Sequence, residues 1–314
     1  MTTSKIVNIS SVFIWRRVHS LMGFWLVLYL CLHLTVNSQA TLWIGDNGSG
    51  FVTFVNFLES LPYLQVIESL LIGFPLLIHA IWGIKRALQQ KSNSFRTNGT
   101  SPHLSYSRNH AFTWQRLSSW VLLFGIIGHV AQMRFIDSPV KTEINNQVHY
   151  LNKITFDDGL YTLAPRLGVT LYSAKTISEL NTYTTQNSFS PREARRINEI
   201  QQNAQKEAWI NQLKSFRLNE NEVIAQSPSP GIGMLLMVRN TFKSPLMAVL
   251  YTIFVLAAAF HAFNGFWTFL ITWGVILSYR SQKSMIPVSV IGIFILSFLG
   301  LIAIWGSYYL NLRS

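Results

Sequence analysis

Four histidines, His33, His79, His129 and His261, each stand inside a long apolar run of their own. An imidazole in hydrocarbon is costly unless it is paired, so a histidine at such a position marks a functional site. The run from Phe260 to Gly274, FHAFNGFWTFLITWG, is too apolar for a soluble helix and carries one histidine, His261. Four helices with one histidine each are what two bis-histidine haems require, with ring nitrogens as the iron ligands. A bare metal ion fits less well, because no carboxylate or second histidine lies three or four residues from any of the four.

Those histidines need helices that cross a bilayer. The chain has 314 residues, is 49% hydrophobic and only 12% charged, which is the composition of an integral membrane protein. Five segments are long enough to span, at about 20 residues each: 15–37, 62–88, 112–133, 246–275 and 286–310. The expected fold is all-α, five transmembrane helices bundled around two b haems. Residues 1–133 carry helices 1 to 3, 134–245 form a long outer loop between helices 3 and 4, and 246–314 carry helices 4 and 5.

The net charge of +12 would suggest nucleic acid in a soluble protein, but its distribution argues otherwise. Outside 134–245 there are 12 Lys or Arg against only Asp46, Glu59 and Glu68; inside it the balance is 13 against 10. The bases flank the spans on one side. Lys5, Arg16 and Arg17 precede helix 1, and Lys85, Arg86, Lys91, Arg96, Arg108 and Arg116 lie between helices 2 and 3 with no acid. Arg280 and Lys283 follow helix 4, whereas 38–61 holds Asp46 and Glu59 and no base. Positive flanks face the cytoplasm, which puts the N-terminus inside and the C-terminus outside. No small-residue cleavage site follows the first apolar run, so it reads as a retained helix rather than a twin-arginine export signal. One cysteine, Cys31, excludes an intrachain disulfide and a cysteine-held iron–sulfur or zinc site, and reads as a small packing residue.

Depth sorts the histidines. At 1.5 Å per residue, His33 is 16 residues from Arg17, about 24 Å, and His129 is 13 from Arg116, about 20 Å, both measured from the inner side. His79 is 17 residues from Pro62 and His261 is 16 from Pro245, each about 25 Å from the outer side. The pairs are therefore His33 with His129 toward the outside and His79 with His261 toward the cytoplasm. Small residues one turn from a ligand let a porphyrin approach: Gly83 follows His79 by four, Gly265 follows His261 by four and Gly125 precedes His129 by four. His33 departs from this, with Tyr29 and Asn37 in those places. Pro75 reads as a kink aiming His79. His103, His110 and His149 fall in loops. His19, at the mouth of helix 1 beside Arg17 and Ser20, belongs to a cluster suited to haem propionates.

The outer loop reads as mostly polar, with too few apolar residues for a deep core. Ser190, Pro191 and Glu193 supply an N-cap, a first-turn proline and a capping-box acid, predicting a helix over 191–216 with a thin stripe of Ile197, Ile200, Ala204 and Ala208. Ser227 to Gly233, SPSPGIG, reads as a flexible return to the membrane.

RRVHSLMG from Arg16, HLTVN from His33, ESLP from Glu59, HAIWG from His79, RNHAFTWQR from Arg108, the run from Phe260 and RSQ from Arg280 resemble the di-haem cytochrome b subunit of bacterial succinate dehydrogenase, in its five-helix cytochrome b558 form. The resemblance covers both ends of the chain, to about Arg134 and from about Pro245, and leaves the long loop aside. It implies an anchor in the bacterial cytoplasmic membrane for a flavoprotein and an iron–sulfur subunit on the cytoplasmic side. Electrons would pass from the inner haem (His79, His261) to the outer haem (His33, His129) and on to quinone, menaquinone in this form. His19 and Ser20 match positions near the inner propionates, and Arg16, Arg17, Arg108 and Arg116 would face the iron–sulfur subunit, the propionates or anionic lipid. Glu59 and Glu68 match acidic positions, and one of them would relay protons at an outer quinone site, with Glu68 the better suited of the two to bonding between helices. Asn109 and Gln115 are polar groups at the inner mouth. No dinucleotide glycine motif and no dicarboxylate-handling constellation is present, so the chain's part in an enzyme would be electron transfer. The same architecture would serve a fumarate reductase or another quinone-linked dehydrogenase. A haem-free anchor and a transporter are the readings of other classes; the four histidines speak against the first, and the second would need polar broken helices at midplane, at which only Pro75 hints.

Overall fold

In a computed structural model of the chain, the described residues are 10–90, 94, 107–144, 147–186 and 196–313. Lys5, Lys91, Arg96, His103 and the capping residues Ser190, Pro191 and Glu193 lie outside them. In chain order the helices are α1 (Ser11–Ser38), α2 (Ser49–Glu59), α3 (Leu64–Gln89), α4 (Ser107–Ile136), α5 (Asp158–Leu167) and α6 (Ala174–Gln186). They continue with α7 (Arg196–Ser215), α8 (Pro230–Thr241), α9 (Pro245–Thr272) and α10 (Tyr279–Arg313). The strands are β1 (Val140–Ile144), β2 (Gln147–Thr155), β3 (Thr170–Tyr172) and β4 (Glu222–Ser227). Five helices, α1, α3, α4, α9 and α10, are long and apolar enough to cross a membrane, matching the five expected spans. The chain divides into two compact units, one of Met1–Asn37, Pro62–Gly128 and Leu250–Leu301, the other of Ser38–Leu61, His129–Val249 and Ile302–Ser314.

The first unit is a helical assembly whose apolar side chains point both ways. Leu21, Trp25, Leu28 and Leu32 form an exposed stripe at helical spacing along α1, as a lipid-facing surface requires. Facing inward, Leu34, Ala259, Ala262 and Leu296 form a buried cluster against which Val27, Leu30 and Cys31 pack. Small residues set these approaches: a Cβ on Gly292 would lie 2.1 Å from the Phe263 ring, and one on Gly300 2.4 Å from Val255. In α3 the residues Ser69–Gly73 form a π-helical turn just ahead of Pro75. Proline has no N–H for the carbonyl four residues back, and the Trp25 indole supplies one instead, donating to Leu71 O at 2.6 Å.

The second unit corrects the expectation of an all-α chain with a coreless loop. Its four strands pair antiparallel in the order β1-β2-β4-β3, with Leu151 opposite Gln226, Ile154 opposite Val223 and Leu171 opposite Ala225. β4 is buried on both faces, because Val223 and Ala225 point one way and Ile224 the other. One face packs Ile154, Val223 and Ala225 with Leu160 and Leu163 of α5 and Leu236 of α8. The other packs Leu151 and Ile224 with Ile177 of α6 and Leu213 of α7. The expected helix over 191–216 corresponds to α7, but Ala204 and Ala208 are exposed, and among the side chains described from 204 onward Ile210 and Leu213 are the buried ones. His149 sits in β2 opposite Thr142, and His110 in the first turns of α4, so neither is in a loop.

SPSPGIG is not a flexible return. Ser227 ends β4, Ser229 caps α8 by accepting from Ile232 N at 3.4 Å, and Pro230 opens the helix. Gly231 then lets α8 lie directly on α2: its N–H donates to Asn56 Oδ1 at 2.8 Å, and a Cβ there would fall 2.5 Å from Val52 O. Gly231→Ala is expected to destabilise this unit by about 1–3 kcal/mol through overpacking. The thermal midpoint of the purified protein measures it.

Candidate functional site

Within the first unit, α1, α3, α4 and α9 each contribute to one polar cluster. The His79 and His261 rings lie 6.2 Å apart between centroids, at 80° to each other. His19 stacks on His79 at 4.0 Å and 11°. Its ring is thus in contact with a predicted ligand. These two histidines exchange bonds: His79 Nδ1 meets His19 O and His19 Nδ1 meets His79 O, both at 3.1 Å. The close pass is made possible by Gly23, where a Cβ would lie 2.7 Å from His79 Cε1. His261 is held from α4. Ser118 Oγ lies 3.2 Å from its Nδ1, and Gln115 donates to its backbone carbonyl at 3.1 Å while accepting from Asn264 at 2.7 Å.

The consequence is chemical. A ring whose Nδ1–H is engaged by a carbonyl or hydroxyl carries its lone pair on Nε2, and such bonds fix both tautomer and orientation in metal-ligating histidines. His79 and His261 therefore both keep Nε2 as the nitrogen for a ligand. Gly23, Ser118 and Asn264 were not singled out from sequence. Gly23 follows His19 by four, the same signal that Gly83 and Gly265 give, whereas a serine and an asparagine within apolar helices carry no pattern of their own. A Cβ on Gly83 would lie 3.5 Å from His19 Cε1 and one on Gly265 3.5 Å from Gln115 Nε2, but Gly125 faces Phe254 of α9, where a Cβ would lie 2.4 Å from the ring. Gly23→Val should push His79 aside and destabilise the cluster by about 1–3 kcal/mol, read as a lower thermal midpoint that Gly73→Val, with open space around it, does not show.

Of the remaining residues, Arg17 lies with its guanidinium over the Phe13 ring at 3.7 Å and 5.9 Å from Trp273, and Ser20 is half-buried on α1. Arg108 bonds Gln282 and lies 5.3 Å over Trp267, and Arg116 donates to Gln90 O at 3.2 Å. Asn109 accepts from Ser94 at 3.1 Å through its carbonyl.

The chain is 25% identical over 294 residues, 93% of its own length and 96% of the other protein's, to the succinate dehydrogenase cytochrome b558 subunit of Bacillus subtilis (strain 168). It is a relative of that cytochrome b subunit. No family model and no solved structure matches it. Five helices long and apolar enough to cross a membrane, in a relative of a succinate dehydrogenase cytochrome b558 subunit, support a multi-pass membrane protein.

The other residues expected from the resemblance to cytochrome b558 divide between the units. In the first, His33 has polar neighbours one turn to either side: the Tyr29 hydroxyl lies 3.5 Å from its Nδ1 with the rings stacked at 5.5 Å, and Asn37 donates to its carbonyl at 2.8 Å. Glu68, half-buried at the start of the π turn, lies near enough to Tyr29 to act on it electrostatically. In the second unit, His129 is half-buried on α4 and Glu59 ends α2, with Arg134 Nη1 at 3.9 Å from its carboxylate. Tyr150 of β2 is the other neighbour of Glu59, its hydroxyl held above the ordinary value first by burial and then by that carboxylate.

Proposed function

We propose that the chain is the membrane-anchoring di-haem cytochrome b subunit of a succinate:quinone oxidoreductase, and that it passes electrons from an iron–sulfur subunit to menaquinone. The single observation that carries this reading is the His79–His261 pair, with both Nδ1 atoms engaged by the protein and, among the described residues, no bond to either Nε2, so that both could ligate iron. His79 and His261 would hold the inner haem. His33 and His129, assigned to each other by depth in sequence, would hold the outer one. Haem b, when bound, supplies reversible one-electron chemistry.

The protein's own work is to hold and insulate. His19 O and Ser118 Oγ orient the two imidazoles and raise their basicity, and Gln115 and Asn264 fix the backbone that carries His261. Ser20 and Arg17 offer donors to propionates, whereas the His19 Nδ1–H is already given to His79 O. The basic flank of Arg16, Arg17, Arg108 and Arg116 is the surface for the iron–sulfur and flavoprotein subunits, on the cytoplasmic side, with the C-terminus outside. Of the two acids Glu59 and Glu68, Glu59 is the one that would deliver protons to reduced quinone, and Glu68 would bond between helices.

A dithionite-reduced minus oxidised spectrum of the purified chain, with haem counted by pyridine haemochrome, tests this reading. Two low-spin b haems per chain are expected; none would overturn it.

A further inference from the structure

The second unit contains a cavity of about 230 Å³ for which electron transfer has no use. Asp157, Arg166, Arg239, Asn240, Lys243 and Asn311 supply its polar lining. Lys243 is already neutralised, bonded to the Asp157 carboxylate and to Thr155 O. That leaves Arg166 and Arg239 facing the cavity with no carboxylate of their own among the lining residues. Arg166 lines the cavity, is exposed, and donates from Nε to Thr162 O at 3.1 Å. Arg239 Nε is shut from solvent and, among the described residues, has no hydrogen-bond partner. A buried donor left unmet costs free energy that a bound acceptor would recover. Consistent with this, the Arg239 guanidinium is held below its ordinary value, first by burial and next by the charge of Arg166, against the opposing pull of Asp46 and Asp157.

The cavity's place points to its occupant. Asn311, which donates to Arg239 O at 2.8 Å, stands near the end of the membrane-spanning α10, and Lys243 stands two residues before the spanning α9 begins. The ends of spanning helices are where headgroups lie. The volume is below the roughly 300–1,000 Å³ of sites for drug-sized molecules, and suits an ion or one headgroup. Guanidinium forks match the oxygens of phosphate in pairs.

We propose that Arg166 and Arg239 bind a phosphate oxyanion in this cavity, presented by an anionic lipid headgroup or as free phosphate. The test uses the full chain in neutral detergent. Native mass spectrometry reads phosphatidylglycerol retained after exchange into micelles containing it, and the thermal midpoint is followed on adding inorganic phosphate at constant ionic strength. If the source is lipid, the wild type keeps one phosphatidylglycerol whose occupancy falls about tenfold in Arg166→Gln and in Arg239→Gln, and phosphate leaves the midpoint unmoved. If the source is free phosphate, the midpoint of the wild type rises with phosphate, the rise disappears in the variants, and lipid retention is the same in all. Arg166 is exposed, so Arg166→Gln decides the matter even where the Arg239 variant fails to fold. Equal lipid retention together with equal midpoints in the wild type and Arg166→Gln overturns the proposal.

Discussion

His261→Leu is expected to halve the haem bound by the chain and to reduce succinate-driven quinone reduction to background. Leucine approximates the volume of the imidazole and suits an apolar helix, so α9 keeps its packing. Gln115 bonds the backbone carbonyl at 261, not the ring, and that bond survives the substitution. What is lost is Nε2, the ring nitrogen that makes no bond among the described residues. Ser118 Oγ keeps its bond to the Gln115 carbonyl at 3.0 Å, so no buried hydroxyl is stranded. The variant should therefore reach the membrane and retain one b haem by pyridine haemochrome. His79→Leu should have the same spectrum, while His110→Leu, in the first turns of α4, should change nothing. An undiminished haem count in His261→Leu would remove this histidine from the ligand set.

The five spans could be read from the sequence because bilayer thickness demands about 20 apolar residues in a row, a signal few other structures produce. The side-by-side placement of His79 and His261 was readable for a related reason: a straight helix converts residue count into depth, and the rings do lie 6.2 Å apart. No such ruler exists for the second unit. Its core is assembled from short pieces far apart in the chain, Leu151, Ile177, Leu213 and Ile224 on one face of the sheet, and β1 reads as polar VKTEI. Among the described strands only β4 has three buried apolar residues in succession, and three residues do not distinguish a strand from a stretch of helix. Serine and proline at 227–230 look like a loop, yet the same residue types are what a helix start requires, and the difference lay in whether α2 was there to receive Gly231. Gly125 shows the limit of the spacing rule itself: four residues from His129 places it on that histidine's face, but its neighbour there is Phe254.

Glu59→Gln is expected to lower quinone reduction by about 10²-fold or more while leaving both haem spectra as they are. Glutamine keeps the size of the side chain and an oxygen for Arg134, and loses only the proton that can be given and regained. The ion pair it disturbs is long, at 3.9 Å, and partly exposed, so its loss costs little stability, about 0–1 kcal/mol. The effect on turnover is then a proton effect and not a folding effect. Glu68 differs: it is half-buried and acts on Tyr29, whose hydroxyl reaches toward His33. A carboxylate placed there suits bonding between helices, and Glu68→Gln should lower the thermal midpoint more than it lowers turnover. Steady-state reduction of a menaquinone analogue by the assembled complex, measured beside the difference spectrum for each variant, separates the two roles. Full turnover in Glu59→Gln with collapse in Glu68→Gln would move the proton donor to Glu68, and full turnover in both would mean that neither acid supplies it.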